Sequence, residues 1–300
     1  MSRRRPGTVG LLVVVLGAQL LIAGALIAWA VTGKSTFGLF GASAPTVHAR
    51  DDRAFAVMER IVAFGPRPAG SPAARRLAAW LRARIPHGRY EAVPGGLRNV
   101  VGSLPGRGRP IVLGAHYDTK DIPGFVGAND GAAGDAVVLE VARRLAAERP
   151  PGAPALRFVF FDGEETPRGV PDSDFVKRGI RGSKADALRH RHDTREMILV
   201  DFVGQPHLTL RREEGSDPKM WARLRAAAQR AGVGAAYPPG TASRVLDDHT
   251  PFAALGIPAI DLIDFSYACF HTTCDTPSRL SPHSLAAASH ALLALLRAGG

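Results

Sequence analysis

The sequence predicts an α/β fold, a largely parallel sheet covered on both faces by helices, preceded by one membrane-spanning helix. Three observations carry this reading. Of the 300 residues, 46% are hydrophobic and 22% charged, which supplies enough apolar side chain to offset the entropy of ordering and excludes a disordered or fibrous chain. From residue 99 onward, short apolar runs alternate with helical patterns, as in strands joined by helical crossovers. No period of about 20–50 residues recurs, so a solenoid or propeller is excluded.

Residues 1–8 are a basic stub carrying Arg3, Arg4 and Arg5. Residues 9–31 are apolar except for Gln19, and as a helix they reach about 34 Å, enough for a hydrocarbon core of about 30 Å. This run reads as an uncleaved anchor with the arginines on the cytoplasmic side, which places the rest of the chain outside. The alternative is a secreted protein cleaved at Ala28-Trp29-Ala30 or Ala42-Ser43-Ala44. Residues 32–49, rich in small and polar side chains, read as a tether, and residues 50–300 as the folded domain.

Within that domain, residues 50–64 have helical periodicity, which Gly65-Pro66-Arg67-Pro68-Ala69-Gly70-Ser71-Pro72 breaks. Residues 73–85 follow as a helix with Trp80 and Leu81 on its apolar face. Strands are expected at 99–104, 111–115, 156–161, 197–200, 208–210 and 257–263. Helices are expected at 131–148, near 181–190, at 218–231 and at 284–296.

The net charge is +11, and all but five of the 38 basic residues are arginine. They are scattered and accompany no nucleic-acid motif, so they read as a solvated surface and no nucleic-acid partner is expected. No Gly-x-Ser-x-Gly elbow, phosphate-binding loop or dinucleotide fingerprint occurs, which argues against serine hydrolases, NTPases and Rossmann enzymes. Cys269 and Cys274 are too few for a cysteine-rich zinc module. They flank His271 and form either one bridge closing a small loop around it or two thiols.

The chemistry gathers just past the apolar strands. Residues 111–115 lead into His116-Tyr117-Asp118, residues 156–161 into Asp162-Gly163-Glu164-Glu165, and residues 197–200 into Asp201. Open α/β sheets place ligands at such strand ends. Asp130 opens the helix expected at 131, and His271 follows the last strand. Taken singly these are helix caps, solvated turns and satisfied polar side chains. Together they put three carboxylate motifs at the ends of strongly apolar strands, which is costly without a cation. Imidazoles and carboxylates without thiolates suit zinc. Of two adjacent glutamates, one can bind metal while the other moves a proton. Asp118 can act as an outer carboxylate that fixes the His116 tautomer.

These motifs resemble the zinc aminopeptidase and glutaminyl-peptide cyclotransferase superfamily (clan MH). The likeness runs from Phe64-Gly65-Pro66-Arg67 through His116-Tyr117-Asp118, Gly127-Ala128-Asn129-Asp130, Asp162-Gly163-Glu164-Glu165, Asp201-Phe202 and Asp247-Asp248-His249 to Asp264-Phe265 and His271-Thr272, in order and spacing. It implies a three-layer α/β/α fold with a mixed, mostly parallel sheet, zinc exopeptidase-like (phosphorylase/hydrolase-like). It implies that Asp130, Glu165 and His271 hold one zinc, that His116 and Asp201 complete a second site with Asp130 bridging, and that one or two ions bind. Glu164 is the implied general base and acid, with Asp247 beside it as a catalytic carboxylate.

The Asp247-Asp248-His249 and Ile263-Asp264-Phe265 stretches are closer to the cyclotransferase branch. That implies conversion of N-terminal Gln to pyroglutamate with loss of ammonia, on peptides with a free N-terminus. The alternative is a zinc aminopeptidase that hydrolyses the first peptide bond. A third reading, a membrane-anchored binding domain without catalysis, fits less well because such a domain has no need of Glu164. The chain differs from the animal cyclotransferases at Val170 and Phe270, where they carry Trp, and at Asp261, where they carry His.

Overall fold

The structure, a computed structural model, describes residues 53–297; the stub, the apolar run and the tether expected over residues 1–49 lie outside the described residues. Among the described residues, no helix is long and apolar enough to cross a membrane.

Helices α1 (Arg53–Val62) and α2 (Pro72–Arg82) precede strands β1 (Arg89–Val93), β2 (Leu97–Leu104) and β3 (Arg107–His116). Then come α3 (Gly134–Ala147), β4 (Pro154–Phe161), α4 (Phe175–Arg178), α5 (Arg181–Arg189) and β5 (Glu196–Val200). The chain continues with β6 (Arg212–Glu213), α6 (Pro218–Arg230), β7 (Thr241–Ala242), α7 (Thr250–Ala254), β8 (Ala259–Leu262) and α8 (Pro282–Arg297). Ser71 caps α2 by accepting from the Ala74 N–H, and Asp217 caps α6 by accepting from Lys219 and Met220, each followed by Pro at the first helical position.

Six strands form one sheet in the order β1-β2-β4-β3-β5-β8. β1, β2 and β4 pair antiparallel, whereas β4, β3, β5 and β8 run parallel. β6 and β7 form a separate two-stranded parallel ribbon. Side chains alternate between faces with the strand period of two. Ile111, Leu113 and Ala115 of β3 and Leu156, Phe158 and Phe160 of β4 pack under α1, α2, α3, α6 and α8. Val112, Val159, Phe161, Met197 and Leu199 turn to the opposite face, where Ala187 of α5 and Phe252 of α7 cover them. The parallel strands are therefore buried on both sides, which is why they read as unbroken apolar runs.

Three features differ from expectation. Residues 208–210 form no strand. The Thr209 N–H donates to Asp264 Oδ2 at 2.9 Å and the Leu210 N–H to the Ala236 carbonyl, so their hydrogen bonds are taken locally and pairing moves to Arg212. β1 is a strand the pattern did not suggest, because its Arg-Tyr-Glu-Ala-Val sequence sits half exposed at the sheet edge. The helix expected from residue 131 begins at Gly134, and residues 128–133 form an irregular turn ahead of it.

Candidate active site

The parallel strands deliver their side chains to one end of the sheet. His116 ends β3, Asp162 to Glu165 follow β4, and Asp201 follows β5. Asp130 stands in the irregular turn before α3, at φ −82° and ψ 90°, and Gly131 takes φ 90°. A Cβ at Gly131 would lie 2.8 Å from the His116 carbonyl oxygen, so only glycine lets this turn approach the strand end. His271 lies in the loop after β8, at φ 50°, inside the Cys269–Cys274 disulfide. The bridge expected as one of two alternatives is thus formed.

Asp130 faces two ways. Its Oδ1 is 3.3 Å from His116 Nε2, and its Oδ2 is 3.5 Å from His271 Nε2. His271 Nε2 also lies 3.0 Å from Glu165 Oε1, and His116 Nε2 lies 3.6 Å from Asp201 Oδ1. Two groups able to hold a metal result, His116–Asp130–Asp201 and Asp130–Glu165–His271, with Asp130 common to both. The five residues expected as ligands therefore converge. Glu164 belongs to neither group; it is buried beside them, with Oε2 3.9 Å from His116 Nδ1. Asp247 is buried on the wall of the same cavity.

Backbone grips hold the ligand loops. Asp118 accepts from the N–H groups of both Glu164 and Glu165, at 3.1 and 3.2 Å. Its Oδ1 lies 3.8 Å from His116 Nδ1, beyond a hydrogen bond, so it splints the Glu164–Glu165 turn rather than fixing the imidazole tautomer. Asp275 does the same for the other loop, accepting from the N–H groups of Asn129 and Asp130 at 2.9 and 3.1 Å. Arg67, fully buried, donates to the carbonyls of Tyr117, Val126 and Gly127 and so ties the β3 end to the Asp130 turn. In the sequence Arg67 stands in the Phe64-Gly65-Pro66-Arg67 stretch and Asp275 just beyond His271-Thr272. The only signal for either was polarity next to a site motif, since both act on backbone rather than on substrate.

The electrostatics match a cation site. Burial pushes the Glu164 carboxyl well above the usual carboxylate range, and Glu165, Asp247 and Asp248 add repulsion. Burial likewise raises Asp201 to about 7 and pushes up Glu165 and Asp247. Burial opposes the charged form of His116, yet Glu164, Asp118, Asp130 and Asp201 together raise it well above its ordinary value. Asp130 Oδ2 and His116 Nδ1 are buried without a hydrogen-bond partner. Two imidazoles and three carboxylates, part of them orphaned, fit zinc, which pairs the charges that burial leaves unpaired.

Asp130, Glu164, Glu165, Asp201 and His271 line the inner end of a cavity of about 790 Å³. Phe202, Phe265 and Phe270 form one wall, with ring centroids 4.8–5.8 Å apart. Phe270 stacks on the His271 ring at 3.8 Å. Phe175 lines the cavity, and Val170 is not among its lining residues. His249 sits between Glu213 Oε2 at 3.4 Å and Asp261 Oδ2 at 3.5 Å, all three buried, and Glu213 also lines the cavity.

Peptidase family M28 matches residues 99–296. Over 216 residues the chain is 30% identical to a glutaminyl-peptide cyclotransferase-like protein of Bos taurus, a match covering 61% of this chain and 56% of that protein. The chain thus spans little more than half the length of that relative. Among solved structures, the glutaminyl cyclase of an Acidobacteriales bacterium superposes with a TM-score of 0.72 at 29% identity, covering 83% of this chain and 94% of that one. A leucine aminopeptidase precursor from Bacteroides thetaiotaomicron superposes with a TM-score of 0.72 at 26% identity, covering 82% and 96%. With two thirds of its length matched across the sheet, the ligand loops and the closing helix, this chain belongs to peptidase family M28.

Proposed function

We propose that the protein is a zinc-dependent enzyme acting on peptide N-termini, with glutaminyl cyclization as its reaction. The observation that carries this is the position of Glu164: buried, raised in pKa, next to Glu165 in sequence, yet outside both metal-capable groups. A carboxylate so placed is free to move protons. The likeness to glutaminyl cyclases supports cyclization over hydrolysis.

Asp130, Glu165 and His271 would hold the zinc, which when bound supplies a Lewis acid that polarises the γ-carbonyl of an N-terminal Gln. Glu164 accepts a proton from the substrate α-amine through a carboxylate oxygen. The amine nitrogen then bonds to the γ-carbonyl carbon, the bond to the side-chain amide nitrogen breaks, and Glu164 returns the proton to that nitrogen, which leaves as ammonia. Asp247 orients the amine from the cavity wall, and the Phe202–Phe270 wall excludes water from the side-chain pocket. A second reading, aminopeptidase hydrolysis, draws on the complete second group His116–Asp130–Asp201, which offers a place for a second ion.

Mass spectrometry of the zinc-loaded protein with one peptide beginning with Gln and one beginning with Leu separates them. Loss of ammonia from the Gln peptide alone supports cyclization; release of free Leu overturns it in favour of hydrolysis. Residues 9–31 support a further proposal, that an apolar anchor tethers the enzyme to a membrane with its site outside the cytoplasm. Retention of the full chain in a membrane fraction washed with high salt tests it, and recovery in the soluble fraction would sink it.

A further inference from the structure

The cavity has opposite charge at its two ends. The inner end holds Asp130, Glu164, Glu165, Asp201 and Asp247. The outer part is bordered by Arg211, immediately before β6, and Arg244, two residues beyond β7, both exposed. Arg211 and Glu213 line the cavity, whereas Arg212 between them does not and donates to the carbonyls of Glu213, Glu214 and Ser216. Arg211 and Arg244 make no ion pair or side-chain hydrogen bond with the other described residues.

Two further acidic groups in the lining, Glu213 and Asp264, do not pair with them. Glu213 spends its oxygens on the Gly215 and Val245 N–H groups, Ser216 and His249. Asp264 spends its oxygens on Thr209 and Ser266. At about 790 Å³ the cavity stands high in the range of ligand pockets, about 300–1,000 Å³, and has room for more than one residue. The exposed rings of Phe265 and Phe270 line the same cavity as the inner carboxylates and the arginines.

Resting on the reading that peptide N-termini are bound here, we propose that Arg211 and Arg244 select substrates bearing a carboxylate just downstream of the N-terminal residue. The guanidinium fork suits a carboxylate, and attraction at the mouth also steers such peptides in with the amine leading. The carboxylate comes from an acidic side chain or, in a very short peptide, from the free C-terminus.

The test is calorimetric titration of the zinc-loaded full chain carrying Glu164→Gln, which removes turnover from the measurement. Amidated Gln-Ala-Xaa-Ala peptides with Glu, Gln or Lys at Xaa form one arm; Gln-Ala with a free or an amidated C-terminus forms the other. Exposed pairs are worth little each, so the expected gain is about three- to tenfold in affinity for the carboxylate-bearing member, shrinking with added salt. The gain is expected to vanish when Arg211→Gln and Arg244→Gln are introduced together. A gain in the first arm assigns the carboxylate to an acidic side chain, and a gain confined to the second assigns it to the C-terminus. Equal affinities in both arms, no binding by any peptide, or a preference that survives the double substitution overturns the inference. If the unsubstituted protein converts no Gln peptide while the preference and its loss are both seen, the cyclization reading fails and the arginine rim stands.

Discussion

Glu91, Asp186 and His190 come together between the sheet edge and α5 much as Asp130, Glu165 and His271 do at the strand ends, and both trios could offer three ligand atoms to an ion. Their neighbours differ. Arg157 lies 2.6 Å from Asp186, and Arg89 and Arg189 lie 2.8 and 3.1 Å from Glu91, so fixed guanidinium groups already balance the edge trio. At the strand ends the cation in contact with Glu165 is Lys120, at 3.3 Å, and Arg67 spends its side-chain donors on backbone carbonyls. Donor chemistry alone therefore does not make a metal site. Buried carboxylates with a deficit of protein cations do.

The comparison breaks most visibly at Glu164. Glu164→Gln is expected to lower the rate about 10²–10⁴-fold while zinc content stays as in the unsubstituted protein; undiminished turnover would remove Glu164 from the chemistry. Metal retention is the next handle. Asp130→Ala, which removes the residue shared by both groups, is expected to abolish zinc retention through a chelator wash, whereas Glu91→Ala leaves the zinc stoichiometry unchanged. Metal lost equally from both variants would make the two trios equivalent.

At the edge trio the expected effect is on stability instead. Arg157→Ala leaves the buried Asp186 carboxylate uncompensated and is expected to destabilise by about 3–5 kcal/mol in denaturant titration, with zinc content unaffected. A change below about 1 kcal/mol, the scale of an exposed pair, would show the pair to be dispensable. The smallest effect is a pH signature. Burial opposes ionisation of Glu91, but His190 and Arg89 outweigh it and hold its pKa near 2, so its contribution is complete above about 4.5 and fades as pH falls toward 2. His190 is raised by its bond to Glu91, so its contribution is complete below about 6.5 and is lost as pH rises through the folded value. The Tm difference between the unsubstituted protein and His190→Gln should therefore be greatest between about pH 4.5 and 6.5; a flat difference would show that the pair carries no linkage.

Much of this was legible in the chain. Buried parallel strands must be apolar along their length, so 111–115, 156–161 and 197–200 announce themselves, and the acidic residues that follow them stand out by contrast. β1 was not legible because an edge strand with a polar face lacks that signal. His190 stands in a charged run yet is half-buried and 3.0 Å from Glu91, a contact that spans ninety-nine positions and leaves no local mark.

The sequence by itself determined the element types along most of the domain, the identity of the five candidate ligands, and the spare glutamate beside one of them. These depend on residue type and near spacing, which the chain displays directly. Only the tertiary structure decided that Asp118 and Asp275 grip backbone N–H groups rather than an imidazole, and which of two similar trios lacks arginine. The reason is physical: the charge state of a buried group is set by what lies within a few ångströms of it, and those neighbours come from strands and loops far apart in the chain.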